Sequence, residues 1–464
     1  MHNNAANRLA LLIAGAFFME NLDGSIIATA LPHMAGSLGG SAVALHIGIS
    51  AYLLTVAVFI LPGGWAAERF GPRNVFTSAM AIFVTGSVLC GMAQSVPQFV
   101  AARMLQGFGG AMMVPVGRLI VLRTTEKSDL LRAIALLVWP ALTAPLLGPP
   151  LGGFFAEHLS WRLIFFINLP LGLIGLGLAL HMVPRLERGA ARPFDGWGFV
   201  LGTLMLVGIT AGLDQAGERD ANKMIALALG VVGMISGGVF ARHLNRARHP
   251  LVDPSTLRIP SFRMVMTGGT MMRLLIGTMP FLLPLMFQLG FGMKATDAGL
   301  LVLALFLGNI GIKPLTSTIL RRFGFRRTMI GNGLLQAATM LACATFTPAT
   351  PVPVILGLLV ISGASRSMQF TSLSSLAFAD VPQPSMPSAN TLFSVSMQLA
   401  LGLGVALGAM TLQAVGRFQG ETGGPSTADF HATFIAMAIL MLLTVWDAMR
   451  LHPASGAVVA SRAK

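Results

Sequence analysis

The sequence predicts an all-α membrane protein: two pseudo-symmetric six-helix bundles with two further helices inserted between them, fourteen transmembrane helices in all. Three observations predict it. Of the 464 residues, 54% are hydrophobic and only 10% charged, where a soluble domain carries about 25% charged residues. The apolar residues gather into fourteen stretches, most of them near the roughly 20 residues a helix needs to cross the hydrocarbon core. One motif, R-F-G-x-R, occurs at 69–73 and again at 322–326, each time between two apolar stretches. A basic, glycine-turned hairpin repeated in both halves points to a duplicated bundle, an architecture in which transporters hold substrate where the halves meet.

The fourteen stretches lie near 9–31, 44–66, 75–94, 97–121, 133–156, 161–183, 196–216, 222–241, 264–289, 296–319, 328–347, 351–376, 387–414 and 430–449. Each is expected to be helical, because a lone strand would leave its backbone polar groups unpaired in lipid. The hairpins follow spans 2 and 10. Spans 1–6 (residues 1–183) and 9–14 (264–464) are therefore read as equivalent bundles. Residues 184–263 supply a linker and the inserted pair, spans 7 and 8.

Charge sets the orientation. The net charge is +14, and 21 of the 31 Lys and Arg fall at the termini or in loops on one side, among them Arg69, Arg73, Arg123, Lys127, Arg188, Arg321, Arg326, Arg462 and Lys464. The opposite loops hold Arg162, Arg219, Lys223, Lys294 and Arg417. The positive-inside rule puts both termini in the cytoplasm. The basic excess is thus a topology signal, with no support for nucleic-acid binding. Cys90 and Cys343 lie in apolar stretches and form neither a disulfide framework nor metal spacing. The first stretch carries two acids and ends in Ala-Leu-Pro, so it is read as a retained span, not a cleaved signal.

Chemistry inside the spans is sparse. Glu20 and Asp23 stand i, i+3 in span 1, on one helical face. Ionised carboxylates are costly in hydrocarbon, so acids here mark an ion or proton path or a structural hydrogen bond. Arg103 of span 4 is the natural partner. At 1.5 Å per residue, Asp23 lies about 21 Å from the inner face of a ~30 Å core and Arg103 about 9 Å from the outer face, which is similar depth. A proton on Asp23 would release Arg103; a static pair that pins two helices is the alternative. Arg118 and Lys313 lie near inner helix ends and are expected to snorkel to the interface. Arg273 falls near mid-span and could hold an anionic group or pair with a carboxylate. Gln106 follows Arg103 by one helical turn. Gly148, Pro149, Gly152 and Gly153 of span 5 combine a G-x-x-x-G face with helix-bending proline, suited to a bundle interface that rocks. In the first hairpin Gly71 permits the turn, and Glu68 could pair with Arg69, Arg73 or a neighbouring helix end as a conformational latch.

No enzyme signature is present: neither a nucleotide-binding G-x-x-x-x-G-K-[ST] loop, nor H-E-x-x-H, nor a nucleophile elbow. The reading is of a protein that is not an enzyme and needs no cofactor or metal. Without an ATP site, uphill transport must draw on gradients.

These residues together resemble the major facilitator superfamily, specifically its fourteen-helix drug:proton antiporters. Gly64-Trp-Ala-Ala-Glu68-Arg69-Phe-Gly71-Pro-Arg73 is similar to the superfamily loop motif G-x-L-a-D-R-x-G-R-K. Arg103-Met-Leu-Gln106-Gly107 resembles the R-x-x-Q-G motif of span 4. Gly148-Pro149-Pro-Leu-Gly152-Gly153 matches the G-P-x-x-G-G antiporter motif. Leu22-Asp23 through Leu31-Pro32, and Trp161-Arg162 through Asn168-x-Pro170-x-Gly172, are typical of the fourteen-helix group. The resemblance implies alternating access and proton-driven export of hydrophobic or amphipathic compounds, multidrug efflux. Asp23 would be protonation-sensitive and Arg103 would take part in coupling. Glu68 departs from the usual Asp and Pro72 from a usual Arg. Spans 10 and 13 lack carboxylates apart from Asp297 at an outer edge, which disfavours doubly charged cations as substrates.

The partners expected are a small amphipathic solute, protons and the lipid bilayer, with room for a periplasmic adaptor protein. Two other functions share the scaffold: a dedicated exporter of one metabolite, such as an amino acid, siderophore or lipid-like product, and a membrane sensor or scaffold that transports nothing.

Overall fold

A computed structural model describes residues 2–27, 30–39, 42–127, 129–186, 192–217, 222–418 and 425–460, and among them no strand occurs. Arg188, Arg219, Arg462 and Lys464 lie outside the described residues, as does the side chain of Pro149.

The helices run α1 (His2–Ile26), α2 (Leu31–Leu38), α3 (Ala42–Phe59), α4 (Gly63–Phe70), α5 (Pro72–Met92), α6 (Val96–Thr124), α7 (Leu130–His158), α8 (Leu163–Phe166) and α9 (Asn168–Met182) in the first half. The insert is α10 (Gly196–Gly217) and α11 (Lys223–Leu244). The second half holds α12 (Pro260–Met266), α13 (Gly268–Leu285), α14 (Ala295–Gly311), α15 (Lys313–Cys343), α16 (Val352–Ala379), α17 (Met386–Phe418), α18 (Thr427–Met449) and the short α19 (Ala457–Ala460).

Each expected stretch falls on helix. Among the described residues ten helices are long and apolar enough to cross a membrane, or twelve if each of two bent pairs is one span. The expected count of fourteen is not reached by that measure. Span 1 ends at Ile26, not at residue 31, and Pro32 instead starts the separate helix α2. Proline lacks an N–H, so it is tolerated in a first turn and not in a helix interior.

The two halves break in the same places. α3 and α4 meet at Pro62 with a 57° bend; α14 and α15 meet at Ile312, ahead of Pro314, with a 52° bend. After each bend comes the repeated motif, and its glycines share one conformation: φ is 87° at Gly71 and 73° at Gly324. Side chains rarely adopt that region, so glycine is required at both turns. The motif's last arginine then performs the same task twice. Arg73 donates to the carbonyl of Leu180 in the last turn of α9. Arg326 donates through Nε (3.1 Å) and Nη2 (2.7 Å) to the carbonyl of Met449, the last residue of α18. Helix ends leave four carbonyls unpaired, and a cation there also complements the helix dipole.

Burial separates centre from periphery. The apolar window of α6 is 72% buried and that of α11 only 17%. α6 packs on α1, α3, α5 and α17, whereas α10 and α11 pack mainly on each other. They approach glycine to glycine: a Cβ on Gly208 would stand 2.7 Å from Cα of Gly233. The linker is clasped by Asp195, whose Oδ1 accepts from Gly198 N–H (2.8 Å), whose Oδ2 accepts from Leu251 N–H (3.0 Å), and which pairs with His243 Nε2 at 2.8 Å. Partial burial pushes this carboxyl up, but the Gly198, His243 and Leu251 donors outweigh it and hold it below the usual aspartate range.

Candidate functional site

Five helices of the first half converge on Asp23. α1 supplies the carboxylate, α6 supplies Arg103 and Gln106 one turn apart, α9 supplies Asn168, α5 supplies Ser87 and α3 supplies Tyr52. Arg103 Nη1 lies 2.6 Å from Asp23 Oδ2, and neither side chain is exposed at all. The same nitrogen donates to Gln106 Oε1 at 2.7 Å. Asp23 Oδ1 accepts from Gln106 Nε2 (2.8 Å) and from Asn168 Nδ2 (2.9 Å). Asn168 Nδ2 also reaches Ser87 Oγ (2.9 Å), and Ser87 donates to the carbonyl of Phe165. The Arg103 guanidinium stacks 4.2 Å from the centroid of Tyr52.

A buried charge persists only when paired and hydrogen-bonded. Asp23 meets that condition with three donors on two oxygens. Arg103 meets it less fully, since its Nε and Nη2 are buried without a partner. The network is thus built around the carboxylate. Anything that neutralised Asp23 would leave Arg103 buried without its counter-charge.

The expected pair in span 1 takes different places. Asp23 sits at the centre of the network, while half-buried Glu20 stands at its edge beside Tyr52, where its charge acts on Asp23 and on Arg118. Around Gly110 of α6, a Cβ would stand 3.1 Å from Tyr52 Oη and 3.4 Å from Glu20 Oε1. Gln106, one turn after Arg103, orients both members of the Asp23–Arg103 ion pair. Of the residues sequence reasoning did not assign to the site, Asn168 stood in a quoted motif, and Tyr52 is the only tyrosine in the chain. Ser87 carried no signal.

Three other expectations need correction. Glu68 forms no ion pair with Arg69 or Arg73; the cations that act on it are Arg192 of the linker and Arg123 in the last turn of the neighbouring α6, and among the described residues the ion pairs are Asp23–Arg103 and Asp195–His243. Arg69 points to the exposed surface and Arg73 is committed to the end of α9. The contact between halves is made instead by Gly64, where a Cβ would stand 2.6 Å from Thr391 Oγ1 and 3.3 Å from the carbonyl of Pro387 on α17. Trp65 Nε1 meanwhile donates to the Arg192 carbonyl and anchors the linker. Second, Gly148 faces α1, where a Cβ would meet Ser25 Oγ at 2.1 Å; it packs within its own half. Gly152 is buried and Gly153 has open space at its Cβ position. α7 as a whole does touch α14, α15 and α16 of the other half. Third, Arg118 and Lys313 do not snorkel. Arg118 Nη1 crosses to Ser394 Oγ on α17 (3.2 Å) and Lys313 Nζ donates to Thr371 Oγ1 (2.8 Å).

The hydrogen bonds that join the halves cluster toward the face bearing the termini. They run from Lys127 Nζ to Ala379 O (3.0 Å), Gln383 Nε2 to Leu122 O (3.4 Å), Asn390 Nδ2 to Pro115 O (2.8 Å) and Arg118 to Ser394. The crevice left beside Gly64, Glu68 and Thr391 measures about 20 Å³, room for a water and not for an organic solute. That face is sealed.

The sequence matches the family model for the Major Facilitator Superfamily over residues 13–404 and again over 264–459. It is 36% identical to the transport protein HsrA of Haemophilus influenzae, over 98% of both chains. It is 34% identical to the multidrug resistance protein MdtD of Pectobacterium atrosepticum, over 95% of both; both names are provisional. Among solved structures it superposes on the proton:xylose symporter XylE with a TM-score of 0.66 at 16% identity, over 98% of each chain. It superposes on the human organic anion transporter MFSD10 with a TM-score of 0.65 at 16% identity, over 96% of this chain and 98% of that one.

Proposed function

The chain belongs to the Major Facilitator Superfamily, and from that premise we propose that this multi-pass membrane transporter is a proton-coupled antiporter that exports hydrophobic or amphipathic organic compounds by alternating access. Residues 1–183 and 264–464 are the two moving bundles of a fourteen-span chain, and 184–263 is an inserted pair. With both termini in the cytoplasm of an inner membrane, the sealed face is the cytoplasmic one. The names of the MdtD and HsrA relatives favour efflux of organic solutes over a sensing role.

The single observation that carries the proton reading is the fully buried Asp23–Arg103 pair. Breaking such a pair by removing one partner is costly, because the other charge is left unpaired in a medium of low dielectric. Protonation is the way to neutralise Asp23 without that loss being permanent. The freed guanidinium would swing away from α1 and loosen α6, the helix that carries Arg118 and Pro115 to α17. Proton binding in the first bundle would thereby reach the contact between bundles.

Dye efflux from everted membrane vesicles tests this. Pumping should require a proton gradient, collapse with an uncoupler, and fall at least tenfold in Asp23→Asn. Normal pumping by Asp23→Asn would overturn the assignment of the proton site.

A further inference from the structure

We propose that Arg118 and Arg273 form an anion site between the two halves, and that the exported solute carries an oxyanion group, such as a carboxylate, on an apolar body. This rests on the reading of the chain as an exporter of organic solutes and names the chemical class it takes.

The charges buried in the spans do not balance. Away from helix ends, the described residues place Arg103, Arg118, Arg273 and Arg366 against Glu20 and Asp23. Asp23 is consumed by Arg103. Three cations then face one carboxylate, Glu20, whose charge acts on Arg118 and leaves Arg273 without a counter-charge, in a low-dielectric interior where unpaired charge is costly.

Two of the three meet across the interface. Arg118 comes from α6 of the first half and Arg273 from α13 of the second. Their guanidinium carbons lie 5.0 and 4.8 Å from the centroid of one ring, Phe393 of α17. Neighbouring serines of the same helix hold both: Arg118 Nη1 donates to Ser394, and Arg273 Nη2 to Ser396 at 3.1 Å. Two like charges are thus held within about 10 Å, close enough to repel through a low-dielectric medium. The ring offsets part of that cost by cation–π attraction.

Arg273 shows what is missing. It is 2% exposed. Its Nη2 is well satisfied, by Ser396, by the Val265 carbonyl (3.1 Å) and by Thr270 Oγ1 (3.2 Å). Its Nε and Nη1 are buried with no partner, and among the described residues no carboxylate stands within ion-pair distance. The charge that acts on it is Arg118, of like sign. A guanidinium is a preferred partner of oxyanions, and here the Nε–H and Nη1–H donors, on either side of the occupied Nη2, are both unused. A merely structural arginine would be expected to face an acid or a row of carbonyls. Arg273 belongs to one half and Arg118 to the other, so an anion held between them would touch both bundles.

Matched aromatic probes of opposite charge test the site. Full-length protein purified in detergent is dialysed to equilibrium against radiolabelled 1-naphthoate or 1-naphthylmethylammonium, with empty micelles as the blank. Naphthoate should bind at least tenfold more tightly than the ammonium. Arg273→Gln and Arg118→Gln should each erase most of that preference, and Arg273→Lys should keep part of it. Equal or tighter binding of the ammonium by the unsubstituted protein overturns the proposal, and that comparison depends on no variant folding. Undiminished naphthoate binding in both glutamine variants also overturns it. Binding at equilibrium needs no gradient, so failure of proton coupling would show in the vesicle assay and leave this result standing.

Discussion

Arg73 and Arg326 are structural counterparts: each is the last residue of an R-F-G-x-R turn, and each closes the C-terminal end of the last long helix of its own half, α9 and α18. The repeated motif therefore does local work that is the same in both bundles. Replacing either arginine by alanine should destabilise its half by about 1 kcal/mol, the order of a helix-end hydrogen bond and dipole contact together. Thermal unfolding of the purified protein should show similar downward shifts for Arg73→Ala and Arg326→Ala. A shift in only one would mean that the two turns are not equivalent.

Gly64 and Thr391 offer a lock. The Cβ position at Gly64 lies 2.6 Å from Thr391 Oγ1, across the two halves. A disulfide needs Cβ atoms roughly 3.5–4.5 Å apart, so Gly64→Cys with Thr391→Cys should oxidise readily. The native Cys90 and Cys343 are both buried and free, and should not compete. Oxidation should hold the terminus face shut and stop transport, and a reductant should restore it. Transport that continues after complete crosslinking, as judged by gel mobility, would mean that this face need not open.

Asp195 clasps the linker to α11 and to the loop at Leu251. Its carboxyl is held below the usual aspartate range. The stabilisation is therefore fully present above the unfolded value of about 3.9 and is lost only as pH falls through the lower folded value. Between pH 5 and 8 the clasp should not loosen through titration of this carboxylate. Asp195→Asn should loosen it at every pH in that range, seen as faster protease cleavage within 242–263.

Charge balance makes a transport prediction. Exporting a monovalent anion for one entering proton moves two positive charges inward, each worth about 2.3 kcal/mol per 100 mV. A potassium–valinomycin potential, negative on the terminus side, should accelerate naphthoate export from proteoliposomes at equal pH on both sides. The matched ammonium, exchanged one for one, should be indifferent to the potential.

Much of the fold was legible because the bilayer imposes it. Apolar length, the placement of arginine in loops and the R-F-G-x-R repeat are one-dimensional signals of a medium that tolerates only helix. Where a helix would stop was less legible. The breaks at Pro62 and near Pro314 depend on which helices stand beside the freed backbone groups, and span 1 ends five residues before its apolar run does.

The candidate site divides in the same way. Asp23 and Arg103 could be paired from the sequence alone, because two opposite charges at equal depth in oil have few other ways to be stable. The roles of Gln106 and Asn168, the placing of Glu20 at the edge of the network beside Tyr52, and the crossing of Arg118 to α17 could not. Neither could the unpartnered donors of Arg273. Burial cost depends on residue type and depth, which a chain read in order reveals; partner choice depends on which helix faces stand within about 3 Å of each other, and only the packed bundle decides that.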